Sequence, residues 1–264
     1  MRIATWNIER AFHRVPLGDQ WRWAADNLDA DCVVFTEAKV PDSGAPDGWT
    51  AVWDPAGVYP DSRNRWGTVI AGRGVELRPV TTMKRFFRRV PIAVEWPAAV
   101  QVVEVWKNGE FWATVVGFYA VTKDENGEKN GSGRYSWPTM MDELAPLLYS
   151  RTKQRLIIAG DMNLHPPQIR RVAEDYRLVD LIEHTGHARE LTRSCISCRK
   201  KDGCHHLWTH KNRGGPNPSV QQIDFILASE SLTKDLVSVR GGDEDFPAAW
   251  DLSDHTPVVA EFRW

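Results

Sequence analysis

Apolar residues in this chain gather in short runs separated by Gly, Pro and charged clusters. The runs at 2–6, 32–36, 68–71, 92–96, 100–106, 112–119, 156–159, 223–228 and 258–262 are rich in Val, Ile, Phe and Trp, and they predict β-strands. Three stretches follow the helical period instead. Trp21, Ala24, Ala25 and Leu28 predict a helix over 20–28, and Met141, Leu144, Ala145 and Leu148 predict one over 138–149. A third is predicted over 167–173, where Pro167 suits a first helical turn. Many strands with few helices imply sheets packed on each other and covered by helices, an α/β (α+β) arrangement. No repeat or low-complexity linker interrupts the pattern, and the Gly- and charge-rich stretches 123–133 and 193–218 read as surface loops. One domain over 1–264 is therefore expected, with a basic Cys/His-rich insert at about 193–218.

The strand ends carry the chemistry. "TWNIE" closes on Asn7 and Glu9, "VVFTEAK" on Glu37, and "IIAGDMN" on Asp161 and Asn163. "QIDFIL" begins on Asp224, and "DLSDHTPVV" sets Asp254 beside His255 before the last strand. Asp and Asn are also turn formers, so a single such place means little. Asp161 and Asn163 stand two apart, a spacing that puts both on one side of an extended segment. Carboxylates brought together repel unless a cation neutralises them. A donor set of Asp, Glu and Asn oxygens with one His and no Cys favours Mg²⁺ or Mn²⁺ over Zn²⁺, and with it metal-assisted chemistry on phosphate.

Composition narrows the setting. Against 33 Lys+Arg stand 35 Asp+Glu, so a phosphate-binding surface has to be local. No apolar run is long enough for a membrane span or a signal core, and a soluble, cytoplasmic protein without a membrane partner is expected. No obligate protein partner is indicated.

In order and approximate spacing, "TWNIE", "FTEAK", "GDMN", "IDFIL" and "SDHTPV" resemble the signature blocks of the endonuclease/exonuclease/phosphatase superfamily, which includes exonuclease III, the apurinic endonucleases, deoxyribonuclease I-like enzymes and inositol-polyphosphate 5-phosphatases. The blocks run from residue 3 to residue 262. The resemblance implies a four-layered αββα sandwich, two mixed sheets face to face with helices outside, and a Mg²⁺-dependent hydrolase acting on phosphate esters in nucleic acid, a DNA endo- or exonuclease. It makes Glu37 the main metal ligand with Asn7 and Asp254 nearby, Asp161 the group addressing the attacking water, and Asn163 a holder of a phosphate oxygen. His255 contacts the phosphoryl group, and Asp224 fixes its tautomer. Tyr119, in "VVGFYAVTKD", matches the Tyr of the exonuclease III-like branch, although the Asn and Pro usual around that residue are missing. The departure and the near-neutral charge keep open a phosphatase or phosphodiesterase for a small phosphorylated molecule. A non-catalytic scaffold is a third reading.

Two kinds of residue lie outside that pattern. Cations interleaved with aromatics, which suit phosphates and stacked bases, occur in "KRFFRR" at 84–89, at Arg134 and Tyr135, and around Lys200, Lys201 and Trp208. Arg134, Trp208, Lys200 and Lys201 are the candidate substrate contacts. In "CISCRKKDGCHHLWTH", Cys195, Cys198 and Cys204 with one of His205, His206 or His210 could form a Cys₃His zinc clip, His206 being the preferred fourth ligand; free thiols are the alternative.

Overall fold

The computed structural model describes residues 1–9, 15–58, 65–85, 87–121, 136–151, 154–186, 195–196, 198–200, 202–212 and 219–264. Arg134, Tyr135 and Lys201 lie outside the described residues. In chain order the strands are β1 (Arg2–Asn7), β2 (Cys32–Ala38), β3 (Trp49–Trp53), β4 (Gly67–Arg73), β5 (Glu76–Pro79), β6 (Thr82–Arg85), β7 (Arg88–Pro91), β8 (Val100–Lys107), β9 (Glu110–Tyr119), β10 (Leu156–Asp161), β11 (Leu178–Asp180), β12 (His210–Lys211), β13 (Val220–Gln221), β14 (Asp224–Ser229), β15 (Leu236–Gly241) and β16 (Val258–Phe262). The longer helices are α1 (Leu17–Asn27), α2 (Trp137–Arg151) and α3 (Pro166–Tyr176).

Two six-stranded sheets result. One runs β15-β16-β1-β2-β4-β3 and the other β11-β14-β10-β9-β8-β5. Each is mixed: β1 lies parallel to β2 and β9 parallel to β10, and the other pairings are antiparallel. The period-2 alternation assigns the faces. Ile3, Cys32, Val34 and Ile70 point into the core shared with the second sheet. Their neighbours Ala4, Trp6, Val33, Phe35, Val69 and Ala71 point outward, where Trp21, Ala24 and Leu28 of the α1 segment cover them. On the far side, Met140, Leu144 and Leu148 of α2 and Ile169 and Val172 of α3 join the core of the second sheet. The layers are α, β, β, α, as the resemblance implies.

The run at 92–96 is not a strand. Its place is taken by the hairpin β6–β7, after which the chain packs Val94 and Trp96 into the core as a loop ending in a 3₁₀ turn at Pro97–Ala99. Pro91 and Pro97 bracket the run, and proline both withholds an N–H and restricts the residue before it. The run keeps its apolar burial without joining a sheet.

Two glycines let backbones approach. A Cβ on Gly117 would sit 2.7 Å from Thr68 and 3.1 Å from Val34, in the contact between the sheets. Gly160, in β10, has φ +150, and a Cβ there would lie 1.8 Å from the Phe118 carbonyl oxygen of the adjacent β9. Gly160→Ala is therefore expected to cost at least about 3 kcal/mol in urea unfolding, because the obstacle is backbone. Gly74, with φ +67 and open space around it, is the control. Gly74→Ala is expected to cost only about 1 kcal/mol, the penalty for a left-handed residue. Equal losses in the two variants would refute the assignment of close approach to Gly160.

Candidate active site

Three strands of the second sheet end in register. Tyr119 pairs with Asp161, and Asp161 with Asp224, so one row of cross-strand neighbours carries a phenol and two carboxylates. Opposite them, Asn7 ends β1 on the parity of Ile3, facing the same inter-sheet space. Simple alternation would place Glu37 on the outer face of β2, after Phe35 and Thr36. A bulge between Phe35 and Ala38, with Glu37 at φ +45, turns it back.

Asn7 joins the sheets. Its Nδ2 donates to Asp161 Oδ2 at 2.9 Å and to Glu37 Oε1 at 3.2 Å, and its Oδ1 accepts from the Glu9 backbone N–H at 2.9 Å. These three bonds fix the amide orientation. In this arrangement Asn7 bridges the two carboxylates of the expected metal site. Tyr119, stacked edge-on against Trp66, donates its hydroxyl to Glu37 Oε1 at 3.0 Å.

The other half of the site is built on His255. Its Nδ1 donates to Asp224 Oδ2 at 2.8 Å, the pairing expected from sequence, and Nε2 stands 3.8 Å from Asp254 Oδ1 and 4.0 Å from Asp161 Oδ2. The backbone around it is held by Trp6 Nε1 on the His255 carbonyl and by Ser253 Oγ, which accepts from His255 N–H and donates to the Asn7 carbonyl. Asp254 N–H donates to Glu9 Oε2 at 3.2 Å, so Glu9 orients the Asp254 backbone.

Charge accumulates. Burial pushes the Asp161 carboxyl up to about 8, with the Asp224 charge adding to it against His255, Asn7 and the Asn163 amide. Burial also raises Glu37, opposed by its bonds from Asn7 and Tyr119. For His255 burial opposes the cation, yet Asp224, Asp161 and Asp254 outweigh it and push the imidazole up to about 10. Four carboxylates thus face one imidazolium, and Asp224 Oδ1 is buried with no hydrogen-bond partner among the described residues. Such a donor set fits a hard divalent cation.

Asn163 differs from its sequence reading. The strand ends at Asp161, and Asn163 is left-handed at φ +49. Asp161 Oδ1 accepts from Asn163 N–H at 2.9 Å, a local turn, while Asn163 Nδ2 donates to the Ala120 carbonyl at 2.8 Å. The two residues come together through turn chemistry and not through strand alternation.

Sequence reasoning offered His210 only as a possible zinc ligand. It lies against His255, ring centroids 4.6 Å apart, with Nε2 4.0 Å from Asp254 Oδ2. The signal was available, since "LWTH" precedes the Asp224 strand as other polar ends adjoin theirs. Thr209 beside it accepts, at Oγ1, the backbone N–H groups of Ile223 and Asp224. Trp208 is half-buried and packs against Cys195 and Cys204. Lys200 is exposed beside the same cysteines.

The buried His255–Asp224 pair yields a stability prediction. His255→Gln leaves Asp224 as an unpaired buried charge and is expected to cost about 3 kcal/mol, while adding Asp224→Asn recovers much of the loss. Urea unfolding of the two single variants and the double variant measures the coupling; strictly additive losses would show that the two side chains do not act as a pair.

No family model matches the chain, and no curated protein matches it significantly. Solved structures do. The 3'-5' exonuclease NExo from Neisseria meningitidis superposes with a TM-score of 0.63 at 20% identity, covering all of both chains. The 3' phosphatase NExo from Neisseria bound to a product DNA hairpin gives 0.61 at 20%, again over 100% of both chains. An AP endonuclease from Archaeoglobus fulgidus gives 0.60 at 18% and 100% of each chain. At these identities the likeness is one of architecture: the chain shares the four-layered fold of these proteins.

Proposed function

We propose that the protein is a divalent-metal-dependent phosphodiesterase that hydrolyses phosphate esters in DNA, working as one catalytic unit over residues 1–264 with an inserted loop at 193–218. The observation that carries this reading is the convergence of Glu37, Asp161, Asp224, Asp254 and His255 from four separate chain segments on one end of the paired sheets. Glu37 and Asp254 are the groups that would hold Mg²⁺ or Mn²⁺, which when bound neutralises the carboxylates and polarises a phosphoryl oxygen.

The chain's own groups divide the remaining work. His255, kept cationic by Asp224, carries a proton on Nε2 and offers it to a phosphate oxygen as negative charge develops. Asp161 is held by Asn7 and by the Asn163 amide, which position it to orient a water and take its proton. Asn163 has one side-chain N–H bound to Ala120 and directs the other at a phosphate oxygen. Tyr119 fixes Glu37.

A nucleic-acid substrate is favoured by the β6–β7 hairpin. Lys84, Arg85, Arg88 and Arg89 are exposed on it, and Phe87 at its tip is fully exposed. Cations flanking an exposed ring match phosphates flanking a base. The similarly folded 3' phosphatase bound to a product DNA hairpin agrees with a DNA substrate.

Two measurements check the reading. With Mg²⁺ and a panel of single-stranded, duplex and abasic DNA, RNA and phosphorylated small molecules, turnover is expected on DNA. Glu37→Gln is expected to lower kcat/KM by about a thousandfold or more with folding retained, the scale of about 4 kcal/mol of lost transition-state stabilisation. Wild-type turnover in a folded Glu37→Gln variant would remove Glu37 from the site, and turnover confined to small esters would replace the substrate. In Ca²⁺, the log–log salt slope for duplex DNA binding is expected to flatten by up to about 3 to 4 when the four hairpin cations become Ala, at about 0.9 per phosphate. Superimposable slopes would place the hairpin off the DNA path.

A further inference from the structure

The segment 195–211 contributes Thr209 and His210 to the site, but its own packing is thin. Cys195 and Cys204 form a buried cluster of their own, separate from the two main cores, with only half-buried Cys198 and Trp208 against it. Among the described residues no aliphatic side chain belongs to this cluster. Short segments with so little apolar area are commonly held by a cross-link.

One ligand atom from each of Cys195, Cys198, Cys204 and His206 lies within 4.8 Å of all the others. Cys198 Sγ is 3.6 Å from Cys204 Sγ, and Cys195 Sγ is 3.4 Å from His206 Nδ1. Zn–S bonds of about 2.3 Å directed to the corners of a tetrahedron put sulfur atoms about 3.8 Å apart, and sulfur and nitrogen slightly closer. The observed separations are those of a tetrahedral edge. They are too long for a bonded sulfur pair, and the cysteines are free.

The surroundings favour thiolates. His206 N–H donates to Cys204 Sγ at 3.4 Å, and the Lys200 backbone N–H donates to Cys198. A tight turn, with Arg199 N–H on the Cys195 carbonyl at 2.7 Å and Cys195 N–H on the Lys200 carbonyl at 3.0 Å, brings the two thiols of CxxC together. Cys198, Cys204 and His206 border a cavity of about 310 Å³, which gives an ion a way in.

We propose that Cys195, Cys198, Cys204 and His206 form a closed structural zinc site, distinct from the carboxylate centre, that clamps the segment presenting Thr209 and His210. Three sulfurs and one nitrogen fill all four positions and leave none for substrate, which is the mark of a structural site. The ion displaces the thiol protons to solvent. Its effect reaches the catalytic groups through the chain: Leu207 N–H bonds Gln222 Oε1, Thr209 Oγ1 takes the amides of Ile223 and Asp224, and Asp224 holds His255.

The test is elemental analysis of the full chain after adventitious metal is removed with a weak chelator, combined with zinc K-edge absorption and thiol titration. The expected result is about one zinc per chain with three sulfur neighbours and one nitrogen, and with the three clustered thiols protected until a strong chelator is added. Cys198→Ser, chosen because Cys198 is half-buried, is expected to lose zinc and to lower Tm by several degrees. Zinc-free wild-type protein with three reactive thiols would overturn the proposal. So would an oxidised cysteine pair without zinc, or bound zinc with only oxygen and nitrogen neighbours. The wild-type measurement stands even if the variant does not fold.

Discussion

The site rests on a single buried amide between two sheets. Asn7 spends both side-chain N–H groups on carboxylates from different sheets, Glu37 and Asp161, and its oxygen on the backbone of Glu9. In a low-dielectric interior, hydrogen bonds to charged acceptors are strong, and leaving either carboxylate unsatisfied would be costly. The facing sheets therefore cannot slide past each other at this end without breaking the bridge. Gly117 keeps the contact between the sheets close, since a Cβ there would collide with Thr68 and Val34.

Everything else at the site adds charge or fixes its direction. Asp224 aims His255, Ser253 ties the His255 backbone to β1, and Glu9 ties Asp254 to the same strand. This arrangement is poor for stability in isolation, because several buried carboxylates share too few positive neighbours. It suits a centre whose charge balance is completed by a bound cation and a phosphate.

Much of this was legible in the sequence because strands announce themselves by alternation and their polar ends by contrast. The runs at 100–106, 156–159 and 258–262 fall on strands, and Asp224, Asp254 and His255 lie where their motifs put them. What could not be read was any feature that depends on the partner strand. The bulge that turns Glu37 inward is a matter of pairing with β4, which one strand's sequence does not contain. Asn163 occupies a left-handed turn that the i, i+2 rule cannot foresee once the strand has ended. The 92–96 run has strand composition, but Pro91 and Pro97 bracket it and it packs into the core as a loop. His210 was ambiguous among three neighbouring histidines until the chain's path put it beside His255 and left His206 with the thiols.

The central claim is that the carboxylates gathered by Asn7 are held together for a cation and at a cost to the fold. Asp161→Asn keeps the volume and removes one of the gathered carboxyl groups. The direct measurement is urea unfolding of wild type and Asp161→Asn, each with a chelator and with Mn²⁺. The account requires the variant to be at least as stable as wild type in the chelator, with Mn²⁺ stabilising wild type by the larger margin. A variant clearly weaker without metal, or an equal gain from Mn²⁺ in both proteins, would contradict it.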